Sequence, residues 1–184
     1  MSIIEIIAVV FSLLYVVLAA KENSWCWLYA AISVTIYIYI CYTAKLYPET
    51  GLQVFYLFMA GYGYWQWNKP KKEMAIQQWS NSKHLGILAV GSLLTYALGY
   101  YFNNYTDAAM PFIDSFTTVF SLFATYMVTK KVLENWLYWI VIDVVSIYLY
   151  YSRDLQLTAG LFSVYVVIAF AGYLQWKKTM HLKA

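Results

Sequence analysis

The sequence predicts an all-α integral membrane protein of seven spanning helices, and three observations predict it. The chain is 62% hydrophobic and 11% charged, whereas a soluble domain is about 45–50% apolar and about 25% charged. So few charges leave too little polar surface to cover a globule in water. The apolar residues fall into runs close to the roughly 20 residues that a helix needs to cross a bilayer, and the charges fall mostly between those runs.

The seven runs are 2–20, 24–43, 50–67, 84–102, 112–129, 132–151 and 156–176. The first lacks a basic leading stretch and a small-residue cleavage site, so it reads as a retained helix rather than a signal peptide. The second holds the two cysteines, Cys26 and Cys41. On one helix they lie about 22 Å apart and cannot bridge each other. The third is aromatic and carries Gln53 and Gln66. The longest connection, 68–83, follows it and contains Lys69, Pro70, Lys71, Lys72, Glu73 and Lys83. The fourth run opens on His84. The fifth carries Asp114 near its start, the sixth carries Asp143 near its middle, and the seventh ends on Gln175-Trp176.

Basic residues give the chain a direction. Lys21, Lys69, Lys71, Lys72, Lys83, Lys130, Lys131, Lys177, Lys178 and Lys183 fall on one side; only Lys45 and Arg153 fall on the other. The positive-inside rule makes the lysine-rich side cytoplasmic, with the N-terminus out and the C-terminus in. The net charge of +3 is small and scattered, and does not suggest nucleic acid as a partner.

The chain also repeats itself. Ile4-Glu5 and Val10-Phe11-Ser12-Leu13 return as Ile113-Asp114 and Val119-Phe120-Ser121-Leu122, an offset of 109. Gly51-Leu52, Tyr56, Ala60, Gly63-Tyr64 and Gln66-Trp67 return at the same offset as Gly160-Leu161, Tyr165, Ala169, Gly172-Tyr173 and Gln175-Trp176. Between them, Glu22-Asn23 and Trp27 match Glu134-Asn135 and Trp139 at an offset of 112. That reading needs three extra residues before Glu134 and a compensating deletion before Leu155. It divides the chain into a first three-helix unit (1–68), a loop and linker helix (69–111) and a second three-helix unit with the tail (112–184). Because a single linker helix separates three-helix units, the copies are parallel, as in transporters that hold substrate near the midplane between repeats.

Acids in hydrocarbon are expensive and are functional candidates by default. Glu5 and Asp114 are repeat equivalents near one surface, suited to a helix start or to the outer entrance. Asp143 lies near mid-bilayer, on a stripe with Trp136, Trp139, Ser146 and Tyr150 at helical spacing. Its counterpart at the 112 offset is Ala31. Aromatic faces beside a carboxylate suit a flat cation. Gln53, Tyr56, Tyr64 and Trp67 offer polar and aromatic groups from the first unit. Trp27, Trp67 and Trp176 read as anchors near the inner boundary. No metal cluster, phosphate loop or nucleophile motif is present, so no metal, cofactor or enzymatic chemistry is expected.

The string Glu134-Asn135-Trp136-Leu137-Tyr138-Trp139, ending at Asp143, resembles the signature of the PnuC family of vitamin transporters. Leu52-Gln53-Val54-Phe55, Tyr62-Gly63-Tyr64-Trp65-Gln66-Trp67, Asp114-Ser115 and Gly172-Tyr173-Leu174-Gln175-Trp176 are also similar to that family, in order along nearly the whole chain. The resemblance implies seven helices arranged three, one, three, as in full-length SWEET-like transporters. It also implies facilitated diffusion in a bacterial inner membrane, trapping of the vitamin by a cytoplasmic kinase, and a homotrimer. One departure stands out: the family usually has Asn where this chain has Asp143. A carboxylate only accepts hydrogen bonds, which suits the aminopyrimidine and the cationic ring of thiamine. Nicotinamide riboside, also cationic, is the alternative, and a non-transporting binding subunit is a third reading. The expected substrate site is Trp136, Trp139, Asp143, Ser146, Gln53, Tyr56, Tyr64 and Trp67.

Overall fold

In a bilayer no water satisfies backbone N–H and C=O groups, so long apolar runs become helices that satisfy their own. The computed structural model describes residues 3–43, 47–69 and 74–183. They form α1 (Ile3–Ala20), α2 (Cys26–Thr43), α3 (Tyr47–Trp67), α4 (Asn81–Tyr105), α5 (Pro111–Thr129), α6 (Asn135–Tyr151) and α7 (Gln156–Lys183). Lys45, Pro70, Lys71, Lys72 and Glu73 lie outside the described residues.

All seven expected helices are present, but five of them (α1, α2, α4, α5 and α7) are long and apolar enough to cross a membrane by length and composition. Helix α6 spans 17 residues and includes Asn135 and Asp143. Helix α3 reaches 21 residues, yet it is built largely of Tyr, Trp, Gly and Gln, whose hydropathy is low. Both owe their burial to neighbours rather than to lipid-like composition.

Helix α1 packs on α2 and α7, α2 on α3, α3 on α5, α5 on α6, and α6 on α7. Among the described residues the backbone of α4 runs beside α5, and its His84 reaches Tyr138 of α6 at 3.1 Å. Two glycines let α4 approach α5. A Cβ on Gly91 would sit 2.8 Å from the Phe120 ring, and one on Gly99 would run into the Phe112 ring.

The turn after α1 and the turn after α5 are the same object. The Asn23 N–H bonds the Leu18 carbonyl and the Glu22 N–H bonds the Ala19 carbonyl. The Val132 N–H bonds Met127 and the Lys131 N–H bonds Val128 in the same way. These are Schellman ends, which require a left-handed residue. Glu22 (φ 55°) and Lys131 (φ 49°) supply it without being glycine. Each correspondence is 109 residues. So are the pairs that follow: Cys26 to Asn23 matches Asn135 to Val132, and Leu28 to Trp25 matches Leu137 to Glu134. Trp27 packs on Gly63 as Trp136 packs on Gly172.

These contacts correct the 112 offset. Trp27 corresponds to Trp136, not Trp139, and no three-residue insertion or deletion is needed. The counterpart of Asp143 is Val34, not Ala31. The Glu-Asn dipeptides at 22–23 and 134–135 occupy different places: Glu22 closes a turn, whereas Glu134 precedes the first residue of α6.

The described end of the α3–α4 connection is fastened to the α5–α6 turn. The Gln77 N–H donates to the Lys131 carbonyl at 3.0 Å, and the Leu133 N–H donates to the Gln77 carbonyl at 2.8 Å. Buried Ile76 and half-buried Met74 thereby join the core cluster built around the tryptophans.

Candidate functional site

The stripe expected on α6 turns inward. Trp136, Asp143 and Ser146 are buried, Asp143 at 4% exposure, while Trp139 and Tyr150 are half-buried. Among the described residues no side chain hydrogen-bonds or ion-pairs with Asp143. A carboxyl group in apolar surroundings without a donor is costly in either protonation state. It is poised for a ligand that brings a positive charge or N–H donors.

Hydroxyl groups lie between the helices at corresponding positions. Ser12 Oγ and the Tyr165 hydroxyl lie 2.6 Å apart and join α1 to α7. Tyr56 on α3 lies near Ser121 on α5. Ser12 and Ser121, like Tyr56 and Tyr165, are separated by 109 residues. Tyr165 lies within electrostatic reach of Asp143 and of Tyr37. Ser115 is buried on α5, and its hydroxyl has no partner among the described residues.

Toward the lysine-rich end the bundle is floored by four tryptophans. Trp27 meets Trp67 edge-on with ring centres 5.4 Å apart, Trp67 meets Trp176 at 6.1 Å, and Trp176 meets Trp136 edge-on at 5.4 Å. The two central indoles reach across: Trp67 donates to the Val128 carbonyl at 3.3 Å and Trp176 to the Ala19 carbonyl at 3.1 Å. Trp176 is 0% exposed, so it is a packing residue and not the interfacial anchor expected of it. Beneath this floor Lys131 Nζ pairs with Glu22 at 3.0 Å and stands 4.8 Å from the centre of the Trp67 ring.

At the opposite end Arg153 donates to Asp114 Oδ2 at 2.6 Å. Tyr150 lies within electrostatic reach of that pair and of Glu49. Asp114 and Glu5 both stand in the first turn of their helices, where the dipole favours them. Glu5 is half-buried and acts electrostatically on Tyr37.

The expected site residues therefore separate. Trp139, Asp143 and Ser146 share one inward face, and Tyr56 reaches the inter-unit seam. Gln53 is half-buried. Trp67 and Trp136 belong to the tryptophan floor. Tyr64 stands apart at 51% exposure, because α3 buries Ala60, Gly63, Gln66 and Trp67 and Tyr64 points off that face. The buried amide of α3 is Gln66, which donates to the Tyr62 hydroxyl, rather than Gln53. Sequence reasoning also passed over Ser12 and Ser121. The signal was present, since the Val-Phe-Ser-Leu repeat carries both.

The family model described as "Nicotinamide mononucleotide transporter" matches residues 2–178. The "Nicotinamide riboside transporter PnuC" of Escherichia coli (strain K12) is 26% identical over 204 residues, covering 96% of this chain and 85% of that protein. The protein of the same name from Neisseria mucosa is 25% identical over 192 residues, covering 94% and 71%. The "Riboflavin/roseoflavin transporter RibM" of Streptomyces davaonensis is 19% identical, covering 94% and 83%. The solved structure titled "Crystal structure of the Vitamin B3 transporter PnuC" has the same fold: TM-score 0.79 at 24% identity, covering 98% of this chain and 83% of that one. A multi-pass helical bundle matched almost end to end by that family model is a membrane transporter, and this chain belongs to the nicotinamide mononucleotide transporter family, that of the PnuC vitamin transporters.

Proposed function

We propose that this chain carries a cationic heteroaromatic vitamin across a bacterial inner membrane by facilitated diffusion. The observation that carries the reading is Asp143: a buried carboxyl group with no hydrogen-bond or ion-pair partner among the described residues, on one face with Trp139 and Ser146. Thiamine supplies what that carboxyl lacks, an amino group and a fixed positive charge, and Trp139 supplies cation–π attraction. Gln53 and Tyr56 complete the pocket from the first unit, Trp67 and Trp136 form its floor, and Asp114 and Glu5 line its outer end. Nicotinamide riboside is the second reading, favoured by the names of the E. coli and N. mucosa relatives and by its cationic ring.

In this proposal the chain is a 3+1+3 SWEET-like arrangement of two parallel units joined by α4, with its N-terminus outside and its C-terminus inside. The matched turns and the matched Trp–carbonyl bonds support it. The units rock about the seam, and the tryptophan floor with the Glu22–Lys131 pair is the closed cytoplasmic end. A cytoplasmic kinase traps the vitamin, and the molecules assemble as trimers. Uptake of labelled thiamine and nicotinamide riboside into proteoliposomes, without ATP or an ion gradient, tests the central claim. Saturable uptake of thiamine is expected, and uptake of neither compound would overturn it.

A further inference from the structure

The backbone of helix α4 runs beside α5, and His84 near its start reaches Tyr138 of α6 at 3.1 Å; its flank toward α3 is left open. There α3, α4 and α5 frame an open apolar groove. One stretch, of about 340 Å³, is walled by Phe55, Met59, Leu94 and Phe123. The next, of about 310 Å³, is walled by Phe123, Val90, Ile87, Trp79 and Lys83. Phe123 belongs to both stretches, and Val90 and Leu94 are one helical turn apart, so the groove is continuous. Gly86 opens onto it, and a Cβ there would meet nothing within 4 Å.

The groove ends under cations. Lys83 Nζ stands 5.3 Å from the Trp79 ring centre, and that ring lies 6.3 Å from Tyr126. Lys130 Nζ stands 5.6 Å from Tyr126 and donates to the Tyr62 hydroxyl at 2.6 Å. Neither lysine has a carboxylate partner among the described residues. The described acids at this end, Glu22 and Glu134, are already engaged by Lys131 and by the Trp79 N–H with His84. A second copy of the chain would therefore bring no free carboxylate to these lysines from its own described residues. Tryptophan and tyrosine favour headgroup depth, and basic pockets between helices take anionic headgroups.

We propose that this groove binds an anionic phospholipid, with its phosphate at Lys83 and Lys130 and an acyl chain running past Gly86, Phe123 and Leu94. The lipid covers the flank of α4 that no other helix covers and ties it to α3.

Native mass spectrometry of the detergent-purified chain, titrated with phosphatidylglycerol and with phosphatidylcholine, tests this. Phosphatidylglycerol adducts should persist and phosphatidylcholine adducts should not. Replacing both lysines (K83Q with K130Q) should weaken phosphatidylglycerol binding by roughly 30-fold, the weight of two lysines at an anionic surface. Gly86→Leu should remove the adduct by filling the groove; its side chain meets open space, so the melting temperature in detergent alone reports whether the variant folds. Equal retention of both lipids, or full binding by the double lysine variant, overturns the proposal. So does a loss of oligomers with Gly86→Leu, which would assign the groove to a second copy.

Discussion

Asp143 was legible at once, because a lone acid within an apolar run can hardly be anything but deliberate. Its surroundings were not, since they come from other helices. If the carboxylate reads the ligand's amino group, Asp143→Asn should weaken thiamine binding by about 1–3 kcal/mol, measured by isothermal titration calorimetry. An unchanged affinity would remove Asp143 from the site. Two glycines within helices should respond oppositely. A Cβ on Gly172 would lie 2.9 Å from the Trp136 ring, so Gly172→Ala should destabilise by about 1–3 kcal/mol. Gly86 has no such neighbour, and Gly86→Ala should stabilise by about 0.5–1 kcal/mol through helix propensity. Thermal unfolding in one detergent compares the two.

At the scale of elements, helix number and order could be read from hydropathy, and most ends were placed within a few residues. The turns were not readable. Their left-handed positions hold Glu22, Lys131 and Asp154, where the usual signal is glycine. Without that signal, the similar letters Glu-Asn-x-x-x-Trp at 22–27 and 134–139 pulled the alignment three residues out of register. The α3–α4 connection was read as a plain polar loop, yet its end anchors on the α5–α6 turn. The Glu22–Lys131 pair links the two turns and yields a test. Reversing one charge of this partly buried pair sets like charges together at the contact. Glu22→Lys alone or Lys131→Glu alone should therefore lower transport and stability sharply, while the two together should recover both. Failure of the double exchange to recover either would show that geometry, rather than charge, matters at this contact.

For the whole molecule, the helical membrane fold and the matched turns left traces in the sequence, because repetition copies letters as well as shapes. What the sequence could not show is how the units meet. Val10-Phe11-Ser12-Leu13 and the tyrosine of the Gly-Leu…Gly-Tyr segment were each recognisable as repeated, but nothing in the letters said that serine and tyrosine bond across the seam. Tyr165→Phe removes one such bond and should cost about 1 kcal/mol of unfolding stability; an unchanged unfolding midpoint would remove that bond from the seam's stability. The proposed direction in the membrane rests on the lysine asymmetry. A C-terminal tag protected from impermeant reagent in intact cells is the expected outcome, and a labelled tag would reverse the assignment.

Glu22 and Lys131 occupy corresponding positions and touch each other. In an assembly of two identical three-helix units, the same contact would set Glu against Glu or Lys against Lys, and it would repel. Attraction there requires the halves to have different letters. The ion pair is thus a product of divergence between copies, as is the acid at Asp143 opposite Val34. A single half expressed alone should be unable to rebuild either feature by pairing with itself, whereas the two halves expressed together as separate chains retain both.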